Sequence, residues 1–388
     1  MKSILKINNW REETCDVVPN ANPDLYGYFT TMSNTVAVNR DNKEMKWLKY
    51  LDFEAEWNVE AMEANFNGLY LPNSEAVEKV NFLKNLVESS RNFINVNEAD
   101  VVTYSNVLST LMNTPFEMDG NKNDWELEAT VADQNKIYLV HIPKVHIYDN
   151  VRSSVYDIHC YHRHLPPPPD YHRMLEKHCD KLKQYLFVRW PIDHYRNVFS
   201  NLDRKFYETY RLNLGSNKIL YAADLPGIYS YEQVSNLDEL KSAEHIMCDT
   251  FYSDTLTRET VNYNPLWWSK SYLINANQCL IGVCDKTNDT MTEIMQFNTD
   301  KFTNTTMYEN LWSPKASWKF LDTFLTFVKD EVGRVTSDRK QFIWKFKIID
   351  DANPHITCEP KFVDVKTGNE SFVKTEHFIT LDRENFAY

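Results

Sequence analysis

Val101-Val102-Thr103-Tyr104-Ser105-Asn106-Val107-Leu108 runs on through Met112 to Thr114-Pro115-Phe116-Glu117. Apolar side chains recur at helical spacing through Val107, Leu108, Leu111 and Met112. Pro115 lacks an amide donor and disfavours the helical region in the residue before it. The segment therefore predicts a helix over 101–112 that stops ahead of Pro115.

On the N-terminal side, Asn73-Ser74 offers a helix cap, and Val77, Val80, Leu83, Leu86 and Val87 follow on one face. The first 60 residues show no such period; with Pro19-Asn20 and Asn22-Pro23 as turn signals they read as irregular. On the C-terminal side, the β-branched and aromatic run at 136–142 predicts a strand. Helices are expected at 174–187 and 203–214, and strands at 219–223, 278–284, 341–349 and 355–365. A further helix follows Ser313-Pro314, with Trp318, Leu321, Leu325 and Val328 on one face. Residues 144–170 read as an irregular Pro- and His-rich loop that closes in the extended run Pro166–Pro169. Strands and helices interleave without a repeat or a linker. The expectation is one large domain spanning 1–388, of the α/β (α+β) class, with mixed sheets flanked by helices.

Apolar residues make up 43% of the 388, enough for a sizeable core, whereas only 8 are glycine, which argues against glycine-rich phosphate loops. No stretch approaches the roughly 18 apolar residues of a membrane span, and none near the start suits a signal peptide. Seven dispersed cysteines, an odd number, predict a reducing intracellular compartment, nucleus or cytoplasm, rather than a disulfide framework. The net charge of −13 disfavours broad nucleic-acid binding, and neither DNA sequence recognition nor membrane association is expected. Charge is uneven, however: 171–218 holds ten Lys or Arg against five Asp or Glu, so it nets +5 on a body of −18. Such a segment is either a solvated helix face or a place for one short anionic ligand.

Eight of the eleven histidines fall between 141 and 194, around His159-Cys160-Tyr161-His162-Arg163-His164. They lack C-x-x-C or H-E-x-x-H spacing and read as a surface loop, not a zinc site. Cys279 and Cys284 read as small hydrophobes of one buried strand. Serine-hydrolase elbows, Walker loops and dinucleotide fingerprints are absent from the sequence.

The segment at 101–117 resembles one of the decapping exoribonuclease family (DXO, also called Dom3Z), whose members read approximately V-T-W-R-G-x-L and then T-P-Y-E. Further landmarks follow in family order: Tyr28-Phe29, Leu214-Gly215-Ser216 ahead of a strand, Glu239-Leu240-Lys241, Trp267-Trp268-Ser269-Lys270-Ser271-Tyr272-Leu273, and Trp312-Ser313-Pro314 before a long helix. The resemblance covers about residues 25 to 350. It implies hydrolysis of incomplete or NAD-type caps, or of 5′ phosphates, from RNA, followed in many members by 5′→3′ degradation. It also implies two divalent cations, Mg²⁺ or Mn²⁺, held by several carboxylates.

Most of those carboxylates are missing at the matching positions. The arginine of the first motif falls on Ser105 and the glycine after it on Asn106. A family glutamate falls on Lys183, the E-x-D pair on Asp224 and Pro226, a glutamine on Lys270, and the arginine of G-x-R on Cys284. Only Glu239 and Lys241 match as they stand. A lysine for a carboxylate shifts the local charge by two units; at about 4 Å and an effective dielectric near 20, each unit is worth about 4 kcal/mol, doubled for a dication. The resemblance thus implies a decapping-nuclease-like protein that turns RNA over slowly or not at all, with no metal cofactor, and binds an RNA 5′ end or a protein partner. Its relic cleft would hold Ser105, Lys183, Asp224, Glu239, Lys241 and Lys270. The alternative is an active hydrolase that keeps Mg²⁺ or Mn²⁺ on Asp224 and Glu239, with Glu117 assisting.

Overall fold

The computed structural model describes residues 3–6, 19, 22–32, 35–38, 43–52, 99–116, 125–132, 136–141, 171–190, 204–252, 265–285, 290–302, 312–333, 342–349 and 355–362. The expected helix after Ser74, the loop at 144–170 and Glu117 lie outside them. Among the described residues there are two mixed sheets flanked by helices, as expected.

The larger sheet has ten strands, in the spatial order β1 (Ser3–Lys6), β16 (His355–Phe362), β15 (Phe342–Ile349), β6 (Glu126–Ala132), β7 (Lys136–His141), β5 (Val101–Tyr104), β10 (Asn217–Asp224), β9 (Arg204–Leu214), β2 (Asp24–Met32) and β3 (Thr35–Val38). The smaller has six: β14 (Thr290–Asn298), β13 (Ala276–Asp285), β12 (Glu244–Tyr252), β11 (Gly227–Tyr229), β4 (Lys49–Leu51) and β8 (Phe187–Arg189). β5 pairs in parallel with both β10 and β7, and β12 with β13. The helices are α1 (Ser105–Asn113), α2 (Tyr171–Leu186), α3 (Leu237–Ser242), α4 (Pro265–Leu273) and α5 (Pro314–Gly333). None is long and apolar enough to cross a membrane.

Three sequence expectations change. The segment 101–112 splits: Val101–Tyr104 is a central strand, and the helix begins only at Ser105. Val101, Val102 and Thr103 are β-branched and buried on both faces of the sheet, where a stiff branched side chain favours the strand. Residues 204–214 form β9, not a helix; Phe206, Glu208, Tyr210, Leu212 and Leu214 are buried at a period of two, with Thr209 buried on the other face. The N-terminal region is not irregular throughout: β1 pairs with β16, Ser3 opposite Cys358, and β2 extends the other side of the sheet against β9.

The β9–β10 hairpin turns at Gly215, whose φ of 55° suits glycine and whose hydrogen faces the Asp322 carboxylate of α5. From there β10 runs the width of the large sheet to Asp224. After Leu225-Pro226 the chain enters the small sheet as β11. Gly227 marks that crossing, because a Cβ there would lie 2.3 Å from the Phe187 ring. Asp224 is thereby fixed at the seam between the two sheets.

Helices α1, α4 and α5 share an aromatic core. Trp267 packs on Phe251 at 5.3 Å between ring centres, while Trp268 meets Trp312 at 5.3 Å and Trp318 at 5.6 Å. The tryptophan pair noted in the sequence is thus a packing device that anchors α4. The seam is also held by a buried polar knot: Tyr210 donates to Glu208 Oε2 at 2.6 Å, and His245 Nε2 lies 3.3 Å from Glu208 Oε1. Burial pulls the Glu208 carboxyl above its ordinary value, against the effects of His245 and Tyr210.

Candidate functional site

β5 and β10 run in parallel with Tyr104 opposite Ala222, so Ser105 and Asp224 lie at the same end of the large sheet. That end is where parallel strands of open sheets present ligands. α1 begins there as well, and its preceding residue, Tyr104, gives no side-chain cap.

α2 brings Lys183 to Asp224, Nζ to Oδ2 at 3.0 Å. Burial works against both charges, yet each partner outweighs it: Lys183 is held well above the ordinary lysine range, and Asp224 below the ordinary carboxyl value by Lys183, Lys205 and Lys49. Lys205 sits two residues before Tyr207, which faces Asp224 across the β9–β10 ladder. Lys49 comes from β4 of the small sheet. Its pKa is lowered mainly by burial, with Asp224 countering and Lys183 adding repulsion. Neither the Lys49 nor the Lys205 side chain has a hydrogen bond or ion pair among the described residues. All three lysines act on the Asp224 carboxylate, and only Lys183 makes an ion pair with it.

A second ion pair lies on the other face of β12, the face that α4 covers. Lys270 of α4 donates to Asp249 Oδ2 of β12 at 2.6 Å, with the carboxylate only 8% exposed. Cys248 precedes Asp249 in β12 but faces α2, and burial pushes its thiol well above the ordinary range. Among the described residues, no group of three or more His, Cys, Asp or Glu side chains converges to hold a metal ion.

Glu239 and Lys241 do not join this cluster. Both are exposed on α3. Asn236 caps that helix by accepting from Glu239 N at 2.9 Å, and the Glu239 carboxylate accepts from Ser235 N at 2.8 Å, Ser235 Oγ at 2.9 Å and Asn236 Nδ2 at 2.5 Å. These hydrogen bonds at the start of α3 explain why the Glu239 pKa is lowered, chiefly by the Ser235 amide. Ser105, Lys183 and Asp224 are placed at the seam, Lys270 is paired with Asp249 on the other face of β12, and Glu117 lies outside the described residues. The sequence reading missed Lys49, Lys205 and Asp249. Only the strand pairing reveals them, since β4 and β9 read as irregular and helical.

The family model described as a RAI1-like PD-(D/E)XK nuclease matches residues 21–377. The chain belongs to that family. Among solved structures, this RAI1-like chain is similar to Candida albicans Rai1 in complex with pU5 and Mn²⁺, at 12% identity and a TM-score of 0.65, with 95% of this chain and 94% of that one covered. It is similar to S. pombe Rai1 in complex with 3′-FADP, at 13% identity and a TM-score of 0.62 over 92% and 99% of the two chains. K. lactis Dxo1 in complex with manganese gives 12% identity and a TM-score of 0.56 over 94% and 100%. No curated protein matches the sequence. These likenesses bear out the α/β fold and the decapping-exoribonuclease relationship expected from the motifs.

Proposed function

We propose that this RAI1-like chain binds phosphate-bearing RNA 5′ ends in a lysine-lined seam and does not hydrolyse them through divalent metal. The observation that carries the reading is the contact of Lys183 with Asp224 at 3.0 Å, beside Lys49 and Lys205 with no ion pair of their own. Positions 183 and 224 were assigned from the motifs to two carboxylates of one metal centre, and their meeting across 41 residues supports that assignment. The Mn²⁺ named with the relatives needs several hard oxygen ligands. The donors here do not fit it: Asp224 is bound by Lys183, Asp249 by Lys270, and no third carboxylate joins them among the described residues.

An ammonium group at that place supplies positive charge without activating water. Phosphate oxygens would be taken by Lys49 and Lys205 first, with Lys183 shared between ligand and Asp224. The uncapped start of α1 adds amide donors and a favourable dipole at the same end of the sheet. Lys270, closed onto Asp249, would act as structural support on the other face of β12. Glu239 and Lys241 serve the α3 cap and surface in this reading.

The test uses short RNAs with triphosphate, monophosphate, NAD-capped or hydroxyl 5′ ends, with binding and nucleotide release followed in Mn²⁺ and in chelator. End-dependent binding that persists in chelator, weakens steeply with salt, and is accompanied by no release is expected. Release that depends on Mn²⁺ would show an active hydrolase instead. Absence of both binding and release would point to a protein partner.

A further inference from the structure

Two thiols meet directly behind the lysine seam. Cys179 lies on α2, one helical turn before Lys183, and is half-buried; Cys248 lies on β12, under that helix, and is buried. The Cys179 thiol donates to the Cys248 carbonyl oxygen at 3.8 Å, which places the two cysteines in contact. α2 seals this face with Leu182, Tyr185 and Leu186 against Cys248, Leu280 and Cys284, so the helix and strand have little freedom to separate. The Lys183 ammonium lies in the field of both sulfurs. Burial pushes the Cys248 thiol well above its ordinary range, so Cys179 is the sulfur placed to meet an oxidant.

We propose that Cys179 and Cys248 form a peroxide-driven, reversible disulfide that locks α2 onto β12. Cys179 is the sulfur that solvent reaches, so it reacts first. Its thiolate attacks one peroxide oxygen, the O–O bond breaks, and a sulfenic acid forms as hydroxide leaves. The Cys248 sulfur then attacks the sulfenic sulfur, the S–O bond breaks, and the departing hydroxide takes the Cys248 proton. Two thiols lose two electrons and two protons, and one hydrogen peroxide becomes two waters. A thiol reductant reverses the change by exchange. The neighbours Cys279 and Cys284 are both buried in β13, out of reach of an oxidant in solvent. The chemistry does not depend on what the seam binds.

The experiment treats the full-length protein with hydrogen peroxide, blocks remaining thiols, and maps tryptic peptides without reduction. The expected product joins the peptide of residues 178–181 to that of residues 242–258, each holding one cysteine, with a mass lower by two hydrogens. It should vanish on adding reductant. In the Cys248→Ser protein, Cys179 should instead accumulate as a sulfenic acid that dimedone traps. Oxidation of Cys179 in the wild-type protein to sulfinic acid without that cross-link, or a cross-link to any other cysteine, would overturn the proposal.

Discussion

Lys183→Glu is expected to abolish most of the affinity for a phosphate-bearing RNA 5′ end in chelator. The substitution reverses one charge at the seam and places a second carboxylate against Asp224, now 3.0 Å from the Lys183 ammonium. Each unit of charge would be worth about 4 kcal/mol at close range in a medium of effective dielectric near 20. Lys183 is 22% and Asp224 36% exposed, so water screens part of that. A loss of about ten- to a hundredfold, roughly 1.4 to 3 kcal/mol, is the expected size. Lys329→Glu is the matched control. Lys329 pairs with Asp100 at 3.2 Å, next to the first residue of β5 and so at the opposite end of the sheet from Asp224. It makes the same change in net charge away from the seam and should weaken binding far less. Equal losses in the two variants would mean that net charge, not a pocket, governs the interaction.

The second large effect concerns the fold that builds the seam. Trp318→Ala should lower the unfolding free energy by about 3 to 5 kcal/mol, measured by denaturant titration. Trp318 is 2% exposed and packs its ring 4.9 Å from Tyr272 and 5.6 Å from Trp268, both on α4. Truncation removes buried apolar area and the edge contacts between the rings, and it leaves a cavity that two anchored helices cannot collapse around. Because α4 carries Lys270 to Asp249, the second ion pair should loosen as well. A loss below about 1 kcal/mol would show that the aromatic cluster is not what holds α4 in place.

Much of this architecture was legible where local pattern and tertiary environment agree. The helix carrying Trp318, Leu321, Leu325 and Val328 has a single buried stripe, and Pro314 opens it as its first residue. β13 read correctly because its apolar run is a buried strand, and in β15 Trp344 and Phe346 are buried. β9 did not, because its buried set includes Glu208, and a charged residue at an inward position breaks the visible alternation. Its carboxylate is tolerated only because Tyr210 and His245 supply polar contacts. β1 and β2 were unreadable for another reason: their partners β16 and β9 lie far along the chain, and pairing at that range leaves no local signature.

The site divides in the same way. Lys183 and Asp224 were found through motif order, and the structure brings them into contact. Glu239-Leu240-Lys241 matched a motif letter for letter, yet the carboxylate accepts from Ser235 and Asn236 at the start of an exposed helix. Asn236 three residues ahead of Glu239 was the sequence signal for that role. Lys49 and Lys205 carried no motif at all; they matter because two strands from different sheets deliver them to one aspartate.

The most direct test of the lysine seam is the affinity of the Asp224→Asn protein for a 5′-triphosphate RNA in chelator. Asp224 is held in its charged form by Lys183, Lys205 and Lys49, which outweigh the effect of its burial. An amide of similar shape removes that negative charge and frees the Lys183 ammonium for the ligand. The account predicts tighter binding than wild type. Weaker binding would contradict it, because Asp224 would then be helping to hold the ligand, as a metal-ligating carboxylate does, rather than competing for the lysines.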